Sequence, residues 1–222
     1  MARIIDSSGA IESREIIINS TLKNTYLLLS MTLLFSAAMA GLSMAMNWPY
    51  LGVIPTLIGY FGLLFLTSKF SNSALGLVFV FALTGFMGVT LGPIISSYMT
   101  NLPNGGNIVM TAMGGTGVIF VALSAYAVIS RKNFSFMGGM LMAGILVAFL
   151  MGLGAIFLKM PMLSLAVSAM FILLMSGLIL YQTSEIVHGG ETNYINATVT
   201  LFVALLNLFT SLLHILGIMG DD

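Results

Sequence analysis

Seven stretches of about twenty residues, none containing Asp, Glu, Lys or Arg, dominate this chain: 26–46, 50–68, 74–98, 107–130, 136–158, 162–181 and 197–219. A hydrocarbon layer about 30 Å thick is crossed by roughly 20 helical residues rising 1.5 Å each. A helix closes its backbone hydrogen bonds within itself, so such a segment enters lipid without stranding a polar group. The period-two alternation of a membrane barrel is absent. The reading is an all-α membrane protein, a bundle of seven transmembrane helices behind an N-terminal segment of residues 1–25.

Composition agrees. Of 222 residues, 59% are hydrophobic and 6% charged, whereas soluble domains carry about a quarter charged residues. So little charge cannot coat a water-facing globule, and the lipid bilayer is the solvent. The net charge is zero, and no basic run exceeds Arg131-Lys132, which excludes a nucleic-acid footprint. Without cysteine, thiol catalysis, thiolate ligation and disulfides are excluded together.

The basic residues set an orientation, because Lys and Arg are retained on the cytoplasmic side. Arg3, Arg14, Lys23, Lys69, Arg131 and Lys132 fall on one side and Lys159 on the other, which places the N-terminus in the cytoplasm. Seven crossings then put Asp221-Asp222 outside. A last segment folded back as a re-entrant hairpin would return them to the cytoplasm. Ala38-Met39-Ala40 offers a signal-peptidase exit, but the apolar run continues to Met46 behind an acidic leader, so no cleavage is expected. The leader, with Ile11, Ile16, Ile17, Ile18 and Leu22 among polar neighbours, reads either as an amphipathic helix on the inner surface or as a mobile tail.

Glycines mark close helix crossings: Gly85, Gly88 and Gly92, the Gly114-Gly115-Thr116-Gly117 run, and Gly138-Gly139 with Gly144. Small residues let backbones approach in lipid. Gly92-Pro93 predicts a kink in the third span, its freed carbonyls lining a path or satisfied by Ser96 and Ser97. The polar stretch 182–196 reads as the longest connection and the place for chemistry. Within it, Glu185 and His188 would share a face on a helical extension. That is half of a carboxylate-bridged metal motif, and the spans supply no further carboxylates. His214, with Ser176 as its nearest serine candidate, has nothing to orient it as a base. No catalytic, cofactor or metal site is expected, and the chain is read as a non-enzyme.

Leu83-Thr84-Gly85-Phe86-Met87-Gly88 with Leu91-Gly92-Pro93-Ile94, then Leu123-Ser124-Ala125-Tyr126, Phe134-Ser135-Phe136-Met137-Gly138-Gly139 and the string from His188 to Ile195, taken in order, resemble the Bax inhibitor-1 family, in particular its YccA-like bacterial branch. The resemblance implies a seven-helix inner-membrane protein that modulates, and contacts, an FtsH-type membrane protease complex. The wider family also includes pH-sensitive calcium leaks whose gate is a pair of acids. The matching positions here are Gln182, beside Thr183, and Ala204, neither of which titrates; Glu185, one turn on, is the nearest substitute. The alternative is therefore a calcium or cation leak, with Gln182, Thr183, Glu185 and Ala204 as the candidate polar gate.

Overall fold

A computed structural model describes residues 2–220, with side chains from Ile16 onward. The helices are α1 (Ala2–Ala45), α2 (Val53–Lys69), α3 (Ala74–Asn101), α4 (Gly105–Ser130), α5 (Gly138–Phe157), α6 (Pro161–His188) and α7 (Tyr194–Met219), with one 3-10 turn at Ser135–Met137. Among the described residues there is no strand. Six helical segments are long and apolar enough to cross a membrane, and α2, with 17 residues, is a shorter apolar helix. The surface of a leader helix turns on side chains of residues 1–15, and the placement of Asp221-Asp222 on the chain end; both lie outside the described residues.

Helices persist past the ends of the apolar runs, because backbone hydrogen bonding does not stop where hydropathy does. The sixth span, expected to end at 181, continues as α6 to His188, and α7 begins at Tyr194 rather than 197. The long polar connection of 182–196 is thus mostly helix, and the true turn is 189–193. Helix α7 runs unbroken for 26 residues, about 39 Å at 1.5 Å per residue, so it is not a re-entrant hairpin. Non-glycine residues in the left-handed region, Asn47, Arg131 and Lys159, end α1, α4 and α5, the turn that closes the last carbonyls of a helix.

Helix α7 stands at the centre. It packs on α1, α2, α3, α4 and α6, and all three apolar clusters draw on it: Leu201, Phe202, Ala204, Leu205 and Leu208; Phe209 and Leu213; Ile195 and Val199. The backbone of α5 approaches that of α6 alone among the other α-helices, and α2 and α3 make no close backbone approach to α5 or α6.

The tightest seam joins α1 to α3. A Cβ on Gly88 would stand 2.2 Å from the Ser36 carbonyl oxygen, and one on Gly92 would meet the Ser43 side chain at 2.7 Å. The small-residue spacing on α3 therefore serves packing within the chain. Pro93 sits inside α3 and carries no N–H for the carbonyl of Val89 four residues back. Ser43 on α1 donates its hydroxyl to that carbonyl at 2.9 Å. The freed acceptor is thus satisfied across the seam, and not by Ser96 or Ser97.

Removing that donor should leave a buried carbonyl orphaned, at a cost of about 1–3 kcal/mol. Ser43→Ala is expected to lower the heat-aggregation midpoint of the detergent-solubilised protein. Pro93→Ala, which restores an N–H within α3, should recover most of the loss in the double variant. A Ser43→Ala penalty that persists unchanged beside Pro93→Ala would show that the serine acts otherwise.

Candidate functional site

The polar residues singled out in the sequence gather where α6 stops and α7 starts. Gln182 and Thr183 lie in the last two turns of α6 and are buried. Thr183 Oγ1 is 3.3 Å from the hydroxyl of Tyr26 on α1, and the Tyr26 ring leans on Phe120 of α4, centroids 5.9 Å apart. Next come Ser184, Glu185 and His188, which hold the connection between α4 and α5. The Phe134 N–H donates to Ser184 Oγ at 3.0 Å, and Ser184 Oγ donates to the Lys132 carbonyl at 3.2 Å. Ser135 donates its hydroxyl to the Glu185 carboxylate. His188 bridges two carbonyls, with Nδ1 2.8 Å from that of Ser184 and Nε2 3.0 Å from that of Arg131.

Beyond His188 the chain reverses. Gly189 takes φ 74°, a left-handed conformation that costs glycine nothing, and the Gly190 N–H returns to the Glu185 carbonyl at 2.8 Å. The Glu191 carboxylate accepts from the Asn193 N–H at 2.7 Å. Asn193 then caps α7, its side-chain oxygen accepting from the N–H groups of Ile195 and Asn196 at 2.9 and 3.2 Å. The amide nitrogen of the same residue donates to the Ser71 carbonyl at 3.2 Å and to Asn72 Oδ1 at 2.8 Å. Thr21 of α1 donates to the Thr192 carbonyl at 3.3 Å.

Residues 182–193 therefore stitch α1, the α2–α3 turn and the α4–α5 turn into one polar plate. It is also the basic end of the described chain. Lys69 lies 6.0 and 5.9 Å from the ring centroids of Phe65 and Phe70, and Lys132 lies 5.9 Å from that of Tyr126, within reach of cation–π attraction.

The candidate gate positions are not brought together into a carboxylate site. Ala204 is fully buried in the apolar cluster of Leu29, Met175, Ile179 and Leu208. Glu185 is engaged by Ser135, and Glu185 and Glu191 are the acidic side chains among the described residues. No group of three or more His, Asp or Glu able to hold a metal occurs there. His214 pairs with Ser168, Nδ1 to Oγ at 2.8 Å, and not with Ser176. Ser168 lies two helical turns away from Ser176, nearer the start of α6, so the bond joins α6 to α7 far from the plate. Asn193 and Ser184, which do most of the stitching, were missed; the signal for Asn193 was its place as an N-cap just before an apolar run.

The model of the family described as inhibitor of apoptosis-promoting Bax1 matches residues 18–221. The chain is 49% identical over 222 residues, the whole of both sequences, to "Modulator of FtsH protease YccA" of Escherichia coli. It is equally similar to "Inner membrane protein YccA" of a second strain of that species. An uncharacterized protein of Pseudomonas aeruginosa is 50% identical over 216 residues, covering 97% of this chain and 96% of the other.

Proposed function

Because this chain belongs to the Bax inhibitor-1 family, we propose that it modulates an FtsH-type protease from within the bacterial inner membrane, where it is a multi-pass protein. The observation that carries this reading is the end-to-end match to a protein named for that role. In this reading all seven helices cross and the basic end faces the cytoplasm, as the retention of Lys and Arg on that side requires. The plate supports the crossing of α2. Thr21, near the start of the apolar part of α1, and Ser71, just after α2, both bond the same 189–193 turn, so the apolar part of α1 and α2 together make a return journey. At 17 residues α2 lies at the short limit for a span.

The plate is then the cytoplasmic surface nearest the lipid, and residues 1–25 are the handle that reaches the protease complex. Deleting residues 1–20 should leave the protein in the membrane but reduce its co-purification with the protease and restore normal turnover of a membrane substrate. Unchanged association and turnover in that deletion would refute the handle.

A further inference from the structure

A cavity of about 500 Å³ occupies the gap between the α2–α3 pair and the α5–α6 pair, floored by α7. Its two sides differ in chemistry. The side formed by α5 and α6 is wholly apolar, contributing residues such as Ile145, Phe149, Phe171 and Met175. Every polar lining group is on the α2–α3 side or the floor: Thr56 and Tyr60 of α2, Tyr50 just before it, Thr90 of α3, and Asn207 and Thr210 of α7. No Asp, Glu, Lys, Arg or His lines it, so a charged guest would be desolvated without a counter-charge.

The hydrogen bonds define what the polar side offers. Thr90 donates to the Met87 carbonyl at 2.9 Å, Thr210 to that of Leu206 at 3.0 Å, and Thr56 to that of Gly52 at 2.7 Å. Asn207 donates through its amide nitrogen to the Val203 carbonyl at 2.8 Å. Each threonine proton is thus spent on its own helix, leaving oxygen lone pairs at these positions, while the Tyr50 and Tyr60 hydroxyls can both donate and accept. Such a surface suits a neutral guest whose one polar group both donates and accepts, as a hydroxyl does. The outer mouth carries one ring contact, Phe61 of α2 edge-on to Phe149 of α5 at 5.8 Å, and Phe61 is half exposed. It bridges two helices whose backbones do not approach, and the lining residues Met142 and Leu146 are exposed beside it, so the cavity opens toward lipid there.

We propose that this cavity binds an uncharged single-chain lipid alcohol entering from the bilayer between α2 and α5, its chain against α5 and α6 and its hydroxyl donating to Asn207 or Thr210. The size suits one small ligand, and the inference does not depend on the protease reading.

The test uses the full chain in phosphatidylcholine nanodiscs, with a diazirine-bearing twelve-carbon primary alcohol as probe and the labelled residues mapped by mass spectrometry. Label is expected on α5, α6 and α7 residues lining the cavity. Unlabelled 1-dodecanol should compete, and dodecane, dodecanoate and dodecyltrimethylammonium should compete at least about fivefold less, the factor set by one neutral hydrogen bond. Asn207→Leu and, independently, Thr210→Val should each weaken capture, and Leu178→Trp, which narrows the cavity, should weaken it as well. Label spread over the exposed faces of α4 and α5, or equal competition by dodecane or either ion, would overturn the proposal. So would full capture by the Leu178→Trp protein.

Discussion

Replacing Gly88 by leucine is expected to abolish accumulation of folded protein, whereas Gly114→Leu is expected to be nearly silent. At Gly88 even a Cβ would stand 2.2 Å from the Ser36 carbonyl oxygen and 3.0 Å from its Cα. The obstacle is backbone, which no rotamer change removes, so α1 and α3 must separate along a seam that also holds the Ser43–Val89 bond. Overpacking of this kind costs about 3 kcal/mol or more, and with the backbone itself in the way the cost rises toward the margin of about 5–15 kcal/mol by which a protein is folded. At Gly114 nothing lies within 4 Å of the added atom and the residue is exposed, so the new side chain meets only lipid. Size-exclusion profiles of the two proteins, extracted from equal amounts of membrane, decide the matter. A monodisperse Gly88→Leu protein with an unshifted heat-aggregation midpoint would mean that α1 does not lie against α3 as described.

Asn193→Ala should produce the second largest effect, because one side chain serves two structures. It caps α7, a role worth about 1 kcal/mol, and it donates twice to the α2–α3 turn, each bond adding about another 1 kcal/mol. The expected loss is therefore about 2–3 kcal/mol, read as a fall in the midpoint of aggregation. Asn193→Asp keeps the capping oxygen and loses both donors to Ser71 and Asn72, so it should show an intermediate loss. Asn72→Ala should cost less beside Asn193→Ala than alone, since the bond between them can be lost only once. Strict additivity of the two substitutions would show that they are not coupled. Under the proposed function, the same variant should also weaken association with the protease, because the plate and the leader are joined through Thr21 and Thr192.

The helical class and the approximate position of every helix could be read from the apolar runs, since lipid imposes length and neutrality on whatever crosses it. Helix ends were less legible. Gln182 to His188 is polar and looks like a loop, yet it is helix, because hydropathy records where a segment leaves the hydrocarbon and not where its hydrogen bonding stops. Glu185 and His188 were placed on one face by their three-residue spacing, and both do reach the α4–α5 turn.

Partners distant in sequence could not be inferred. Ser43 is 46 residues from Val89 and Ser135 is 50 from Glu185; both pairs depend on the rotation of two helices about their axes, which near-uniform apolarity leaves unspecified. His214 illustrates the same ambiguity, since Ser168 and Ser176 are two turns apart on one helix and only the vertical offset of α6 against α7 chooses Ser168. The turn 189–193 was recognisable as a motif, but its role as the tie between three other segments emerges only from the fold.

The central position of α7 has a bearing on how the molecule is made. In its most apolar stretch half of the residues are buried inside the protein, against 17% for α5, yet it follows the other six helices along the chain. A ribosome delivers α1 to α6 to the membrane before the helix around which they close, so during synthesis they wait with Ser168 and the apolar faces around Leu29 and Leu83 turned to lipid or to one another. For that interval the nascent protein resembles the incomplete membrane chains that quality-control machinery removes. Its survival is a race between the emergence of about 26 residues and its own recognition as debris.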